Sequence, residues 1–270
     1  MIRYIQYIFP NLISNKIYKH MSYPRARKLR ESENEILSKA TTKVIRYDRF
    51  DLMQYEWGKE YDKIAYLVHG WEGQTGNFAS LIPVLLNAKY RVVSIDAPSH
   101  GQSSNGKTNM FEFSKILIKQ FTKDKPSLVI SHSFGSVSVA RVLKLNPNIN
   151  LKLWFLITTP NNFKSRINEM AIKFHLNHKI TKKIISKIET DVDESIENLN
   201  MANYCKKLSN VEKALIVHSK TDKILPIEDA REVNNSFKQS RIIELDNLGH
   251  YSILWSSELK SIITDQISIK

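Results

Sequence analysis

Cysteine is almost absent: Cys205 is the only one in 270 residues, which excludes an internal disulfide framework and a cysteine-rich metal site. A lone thiol fits a reducing compartment, and a cytoplasmic location is expected. Long apolar runs are also missing, since none approaches the ~20 residues needed to span a bilayer. There is no internal repeat and no low-complexity tract. The histidines lack metal-ligand spacing. His175 and His178 stand three apart, but no carboxylate or third ligand is evident near them, and both read as surface residues. Neither a metal nor an organic cofactor is expected.

Basic charge is what the chain has in excess, with 40 Lys and Arg against 27 Asp and Glu, a net +13. The lysines run along the whole chain and no nucleic-acid motif accompanies them, so no nucleic-acid partner is expected. A solvated, lysine-rich surface is the reading adopted, with a modest preference for anionic substrates or surfaces left open. With 42% hydrophobic and 25% charged residues, the composition is that of a globular chain whose length suits one domain. The N-terminus, MIRYIQYIFPNLISNKIY, places Ile2, Ile5, Phe9, Leu12 and Ile13 near helical spacing, with Pro10 as a break or a new start. Such a helix is expected to pack on the domain or on a partner subunit; membrane-surface contact is the less favoured alternative.

Beyond a basic stretch at 24–40 that reads as helical, KVIRYDRFDLMQYEWG reads as two short strands with a turn near Asp48–Asp51. Strand-like and helix-like segments then alternate: KIAYLVHG, FASLIPVLLNA, RVVSIDAP, MFEFSKILIKQF, SLVISHS, FGSVSVARVLKL, LKLWFLITTP. This alternation implies crossover connections and an α/β fold, a mostly parallel central sheet with helices on both faces. Residues 161–210 interrupt the rhythm with charged, helix-prone sequence before KALIVHSKTD, a helix near Pro226, SRIIELDNLGH and a last helix from about Tyr251 resume it. The expected organisation is an N-terminal helical segment (1–42), a core (43–160 and 211–270) and a small helical lid insertion (161–210).

The segment SLVISHSFGSVSVARVL puts Ser133 at a tight strand-to-helix turn, where its hydroxyl stands above a helix N-terminus. Ser131 and Gly135 are small, as a turn with such close backbone approach demands. SHSFG resembles the nucleophile elbow of the α/β-hydrolase superfamily, with serine at the first position where glycine is usual. His69-Gly70-Trp71 is similar to the family's oxyanion loop, and Asp96, Gly101 and Ser103 resemble its Asp-x-x-x-x-Gly-x-Ser turn, which is read as structural. His100 is read as a loop-stabilising residue. Asp222, followed by Pro226, and His250, preceded by Gly249, resemble the acid and base loops, in the superfamily's chain order.

The resemblance implies a serine hydrolase with Ser133 as nucleophile, His250 as base, Asp222 as orienting acid, and the amides of Trp71 and Phe134 as oxyanion donors. It covers about residues 60–160 and 211–260. The expected activity is hydrolysis of a small-molecule carboxylic ester through an acyl-enzyme. A thioesterase, a serine peptidase, or a non-enzymatic ligand-binding or signalling member of the superfamily is the alternative. Trp71, Phe163 and Phe174 are candidate substrate contacts. Met170 and Leu176 share the apolar pattern, which could equally be a packing face. Glu72 is expected to turn to solvent or to a lysine, and Asp246 is the next candidate acid should Asp222 not serve.

Overall fold

The computed structural model describes residues 7–25 and 28–268. Eight strands form one sheet: β1 (Thr41–Tyr47), β2 (Phe50–Trp57), β3 (Lys63–Val68), β4 (Tyr90–Ile95), β5 (Leu128–His132), β6 (Leu151–Ile157), β7 (Val211–Ser219) and β8 (Ser240–Leu245). Their spatial order is β1-β2-β4-β3-β5-β6-β7-β8. Only the β1/β2 and β2/β4 pairs are antiparallel; every other neighbour is parallel. The hairpin β1–β2 closes through a two-residue turn whose first residue, Asp48, has φ 49°. Asp is among the few side chains that accept that conformation, so the turn falls where the sequence placed it.

The inner parallel strands, β5 and β6 above all, are buried on both faces, which is why they read as continuous apolar runs rather than alternations; the edge strand β8 is only partly buried. Helices α1 (Pro10–Met21), α2 (Glu31–Ser38), α3 (Ile82–Asn87), α4 (Met110–Asp124), α5 (Phe134–Leu145), α6 (Phe163–Lys173), α7 (His178–Val192), α8 (Met201–Cys205), α9 (Ile227–Ser236) and α10 (Ser257–Ser268) complete the fold. One core, with Leu117, Phe121, Val139 and Trp154, lies on one face of the sheet. The other, with Phe78, Leu81, Leu254 and Leu259, lies opposite.

The stretch between β6 and β7 contains α6, a short 3-10 turn and the helices α7 and α8, and no strand beyond an isolated bridge between Asn162 and Asn200. Asn161 ties its two ends, since its carbonyl accepts from Met201 N–H (3.0 Å) and its side-chain oxygen from Ala202 N–H (2.9 Å). Asn162 and Asn177 cap α6 and α7 by accepting N–H bonds from Ser165 and Ile180.

Two local expectations need correction. The basic stretch 24–40 is not one helix: α2 starts only at Glu31, where the Glu33 carboxylate accepts the Arg30 backbone N–H (2.7 Å). Of the N-terminal pattern, Ile2 and Ile5 lie outside the described residues, and Phe9 and Leu12 are exposed. Helix α1 instead turns Ile13, Ile17, Tyr18 and Met21 inward and packs along α7, with Tyr18 donating its hydroxyl proton to Asp191. Proline at N1 starts that helix without loss of a hydrogen bond.

The turn after β4 shows how tightly this end of the sheet is built. The buried Asp96 carboxylate accepts N–H bonds from Thr75 and Gln102 (both 2.8 Å), and Ser103 donates to the Asp96 carbonyl (2.6 Å). Gly101 sits at φ 50°, and a Cβ there would overlap that carboxylate. Gly101→Ala therefore combines backbone strain with a clash against a buried charge, and is expected to cost at least about 2 kcal/mol in chemical denaturation. Wild-type stability in this variant would contradict the assignment of the turn.

Candidate functional site

The C-terminal ends of β3, β5, β6 and β7 lie side by side, because Val68 pairs with Ser131, His132 with Ile157, and Ile157 with Val217. Side chains from loops far apart in sequence meet at this edge. Ser133 follows β5 and N-caps α5 with φ 52° and ψ −127°, a conformation that costs an L-residue energy. Its N–H is held by the Ile157 carbonyl (2.9 Å). Gly135 is required two residues on, since a Cβ there would strike the carbonyl oxygens of Val68 and His69. Ser131, where glycine is usual, is more than small. Its hydroxyl accepts the Trp154 indole N–H (2.8 Å) and lies 2.9 Å from the Ser136 hydroxyl.

Asp222 and His250 are in direct contact. His250 Nδ1 donates to Asp222 Oδ2 at 2.8 Å, which leaves Nε2 as the basic nitrogen of the neutral ring. Asp222 Oδ1 accepts N–H bonds from Ile224 (2.8 Å) and Leu225 (3.2 Å). Burial works against the charged carboxylate, but the bonds from His250 and the two amides outweigh it and hold Asp222 below the usual carboxylate range. The residue before Ser133 is tied to the base loop: His132 Nε2 donates to the His250 carbonyl (2.8 Å), with the two rings 4.8 Å apart. Among the described residues, Ser133 Oγ makes no hydrogen bond to His250. Asp246, the reserve acid, is 61% exposed and paired with Lys220 at 2.8 Å, away from His250.

The loop that carries Trp71 lies against the turn at Ser133. A Cβ on Gly70 would lie 2.9 Å from the Ser133 Cβ and 3.4 Å from the Phe134 nitrogen. The next two amides of the loop are engaged, Glu72 N–H by His100 Nε2 (3.1 Å) and Gly73 N–H by the Gly70 carbonyl (3.0 Å). Those of Trp71 and Phe134 make no hydrogen bond among the described residues. Glu72 turns neither to solvent nor to a lysine. It is 13% exposed and forms a two-pronged pair with Arg25, at 2.7 and 2.8 Å, so the N-terminal segment clamps this loop.

Sequence reasoning gave no role to His132 or His218, named His69 only within the oxyanion loop, and gave His100 as a loop residue. His69 donates to the Gly70 carbonyl and accepts from Ala97 N–H. His100 bridges the Pro98 carbonyl (2.8 Å) and the Glu72 amide, in keeping with its loop-stabilising reading. His218 on β7 donates to the Leu225 carbonyl (3.1 Å) and stands 3.6 Å from Asp222 Oδ2. Burial lowers their pKa values and that of His132, to about 4 for His69 and about 3 for His100 and His132, so these rings are neutral supports. A histidine inside an apolar strand end, as in LIVHS and VISHS, is the sequence signal that could have marked two of them.

An apolar cavity of about 180 Å³ opens beside Trp71 and Phe134, walled by Met110 and Phe111 of α4, Phe163 of α6, and Tyr18 of α1. Of the candidate substrate contacts, Trp71 and Phe163 line it. Phe174 does not: it caps the end of α6, 56% exposed, beyond the reach of the cavity. Met170 and Leu176 pack against the core, as a packing face would. No group of three or more His, Cys, Asp or Glu side chains that could hold a metal occurs among the described residues. No helix there is long and apolar enough to cross a membrane.

The family model for the alpha/beta hydrolase fold matches residues 66–205, more than half of the chain, and the protein belongs to that family. A serine hydrolase-like protein of Danio rerio is 31% identical over 85 residues, a match that spans 29% of this chain and 26% of that protein's length. Among solved structures, an esterase of Pyrococcus furiosus superposes with TM-score 0.65 at 17% identity, covering 90% of this chain and 97% of its own. A serine hydrolase of Cycloclasticus zankles gives TM-score 0.63 at 14% identity, covering 86% and 100%. At these identities the likeness is one of fold.

The neutral histidines make stability depend on pH. An unfolded chain protonates them near pH ~6.5, whereas burial keeps His69, His100 and His132 neutral to much lower pH. The unfolded state then binds more protons below about pH 6.5, so stability is full above that pH and falls as pH drops toward the folded values. Each ring is expected to remove up to about 1.4 kcal/mol per pH unit in that window. Thermal melts from about pH 7 to about pH 4 should show this decline, and His132→Gln should reduce its slope; a flat profile would contradict the assignment.

Proposed function

We propose that the protein is a serine hydrolase acting on carboxylic esters through an acyl-enzyme on Ser133. The observation that carries this reading is the 2.8 Å bond between Asp222 and His250, placed beside a serine in a strained strand-to-helix turn. A serine hydroxyl attacks poorly unless a base removes its proton in the transition state. His250 Nε2 takes that proton as Ser133 Oγ attacks the carbonyl carbon, then returns it to the leaving oxygen. Asp222 fixes the His250 tautomer and stabilises the imidazolium. The developing negative oxygen is met by the Trp71 and Phe134 amides, two preorganised donors worth several kcal/mol together. Water, activated by the same histidine, releases the acid. The hydrogen bond from Ser133 to His250 forms as substrate binds, since such contacts are often long without it.

Substrate class follows from the walls. The cavity next to the two amides is apolar and about 180 Å³, suited to an acyl chain rather than to a polar peptide side chain. The helical stretch 161–210 supplies Phe163, Ile188 and Val192 to it and acts as the lid. The names of the similar proteins, an esterase and two serine hydrolases, agree with this reading.

A fluorophosphonate probe is expected to label Ser133 in the folded protein, and Ser133→Ala to abolish labelling with an unchanged melting temperature. On p-nitrophenyl esters, Asp222→Asn is expected to lower kcat by about 10⁴-fold through the wrong tautomer, while Asp246→Asn leaves it unchanged. Absence of labelling in folded wild type would remove the nucleophile assignment. Labelling without turnover on any ester or thioester would instead favour a binding or signalling protein.

Phe163, with Phe111 and Phe134, lies between the main cavity and a much smaller one lined by Val137, Leu199 and Met201. Phe163→Ala is expected to widen the passage between the two spaces and to lengthen the preferred ester by several carbons, read from kcat/KM along a chain-length series. An unchanged optimum would place the acyl group elsewhere.

A further inference from the structure

Ten large hydrophobic residues are exposed among the described residues, and six of them gather at one corner: Tyr7, Ile8, Phe9, Leu12, Ile172 and Phe174. The corner is formed by the start of α1 and the turn between α6 and α7. Tyr7 lines a shared groove with Ile172, Leu176 and Thr181, which puts the two apolar tips against each other. Scattered exposed hydrophobics are ordinary, but a contiguous cluster of this kind marks a surface that meets something apolar.

The charge around it is one-sided. Residues 7–20 contain two lysines and residues 170–188 contain five, and neither segment has an Asp or Glu. Lys16, Lys19, Lys173, Lys179 and Lys182 are exposed. Seven lysines thus lie on these two spans, while the nearest acidic residues of the same helices, Glu169, Glu189 and Asp191, fall just outside them. An apolar tip flanked by exposed lysines is complementary to a bilayer surface with anionic headgroups, in which the tip enters the acyl boundary and the lysines meet the headgroups. A nucleic acid would match the lysines and leave the six hydrophobic side chains unmatched.

We propose that this corner docks the protein on anionic lipid surfaces. The position suits the fold. Leu12 lies about 9 Å along α1 from Tyr18, which walls the apolar cavity together with Ile188 and Val192 of α7. A bilayer at the corner therefore lies against the two helices that roof the cavity. No helix crosses the membrane in this arrangement; α1 and the α6–α7 turn rest on it.

The test is co-sedimentation of the full chain with extruded vesicles of phosphatidylcholine alone or with about 30% phosphatidylglycerol added, at low and high salt. The wild type is expected to bind the anionic vesicles at least about tenfold better than the neutral ones, and this preference to fade at high salt. The pair Phe9→Asp and Ile172→Asp should lose binding about tenfold, with circular dichroism and melting temperature unchanged. The triple change Lys173→Glu, Lys179→Glu and Lys182→Glu should abolish the preference for anionic vesicles. The proposal is overturned by equal binding to both vesicles, or by binding that survives the Asp pair. It is also overturned if a duplex DNA oligomer is bound as tightly as the anionic vesicles and the Asp pair does not weaken that binding.

Discussion

Ser133 holds a backbone conformation, φ 52° and ψ −127°, that an L-residue reaches only at a cost of about 1–3 kcal/mol, and the architecture of this end of the molecule follows from keeping it there. The strain is held by groups on β6, β3 and the loop after β3. The Ile157 carbonyl takes the Ser133 N–H, the carbonyls of Val68 and His69 leave no room for a side chain at 135, and Gly70 brings the next loop against the Ser133 Cβ. Ser131 stands where glycine is usual. Its hydroxyl is not idle, because it accepts from the buried Trp154 indole and so satisfies a donor that would otherwise be orphaned on β6. The departure from the usual pattern and its compensation are parts of one packing arrangement.

Around that turn, five histidines are sorted by what each one touches. His69, His100, His132 and His218 bond to backbone carbonyls or amides, which fix a tautomer but do little to favour a charged ring, and burial lowers their pKa values. His250 alone donates to a carboxylate at hydrogen-bond distance. A carboxylate at that distance stabilises an imidazolium, which on the proposed reading suits this ring to take up the Ser133 proton. The other four hold the loops, His132 through the His250 carbonyl and His100 through the Glu72 amide.

Much of this was legible because it is local. Buried parallel strands announce themselves as apolar runs, and the elbow, the His-Gly pair and the two loop ends carry their residues within a few positions of a strand end. What was not legible depends on where separate segments land. Phe163 and Phe174 look alike on one helix period, yet only Phe163 faces the cavity, since α6 ends at Lys173 and Phe174 caps it outward. Glu72 finds Arg25, 47 residues away, and no local pattern encodes that pairing. The stretch 24–40 looked helical by composition, but the Glu33 carboxylate captures the Arg30 amide and fixes the helix start later.

The N-terminal segment has more influence on the site than its place outside the family match, 66–205, would imply. Arg25 holds the loop that carries the Trp71 amide, and Glu33 accepts from Asn77 (3.0 Å) in the turn behind it. Tyr18 and Met21 wall the cavity itself. Ser133, Asp222 and His250 sit on the strand ends of a rigid sheet, whereas the cavity is closed by helices that pack mainly on one another. On the proposed reading, bond-breaking and substrate choice therefore rest on different parts of the chain. Changes in α1 or α7 can reshape the cavity, and the surface outside it, without disturbing the geometry of the turn at Ser133. The same division accounts for why the elbow could be read from five residues, while the shape of the space above it needed the whole fold.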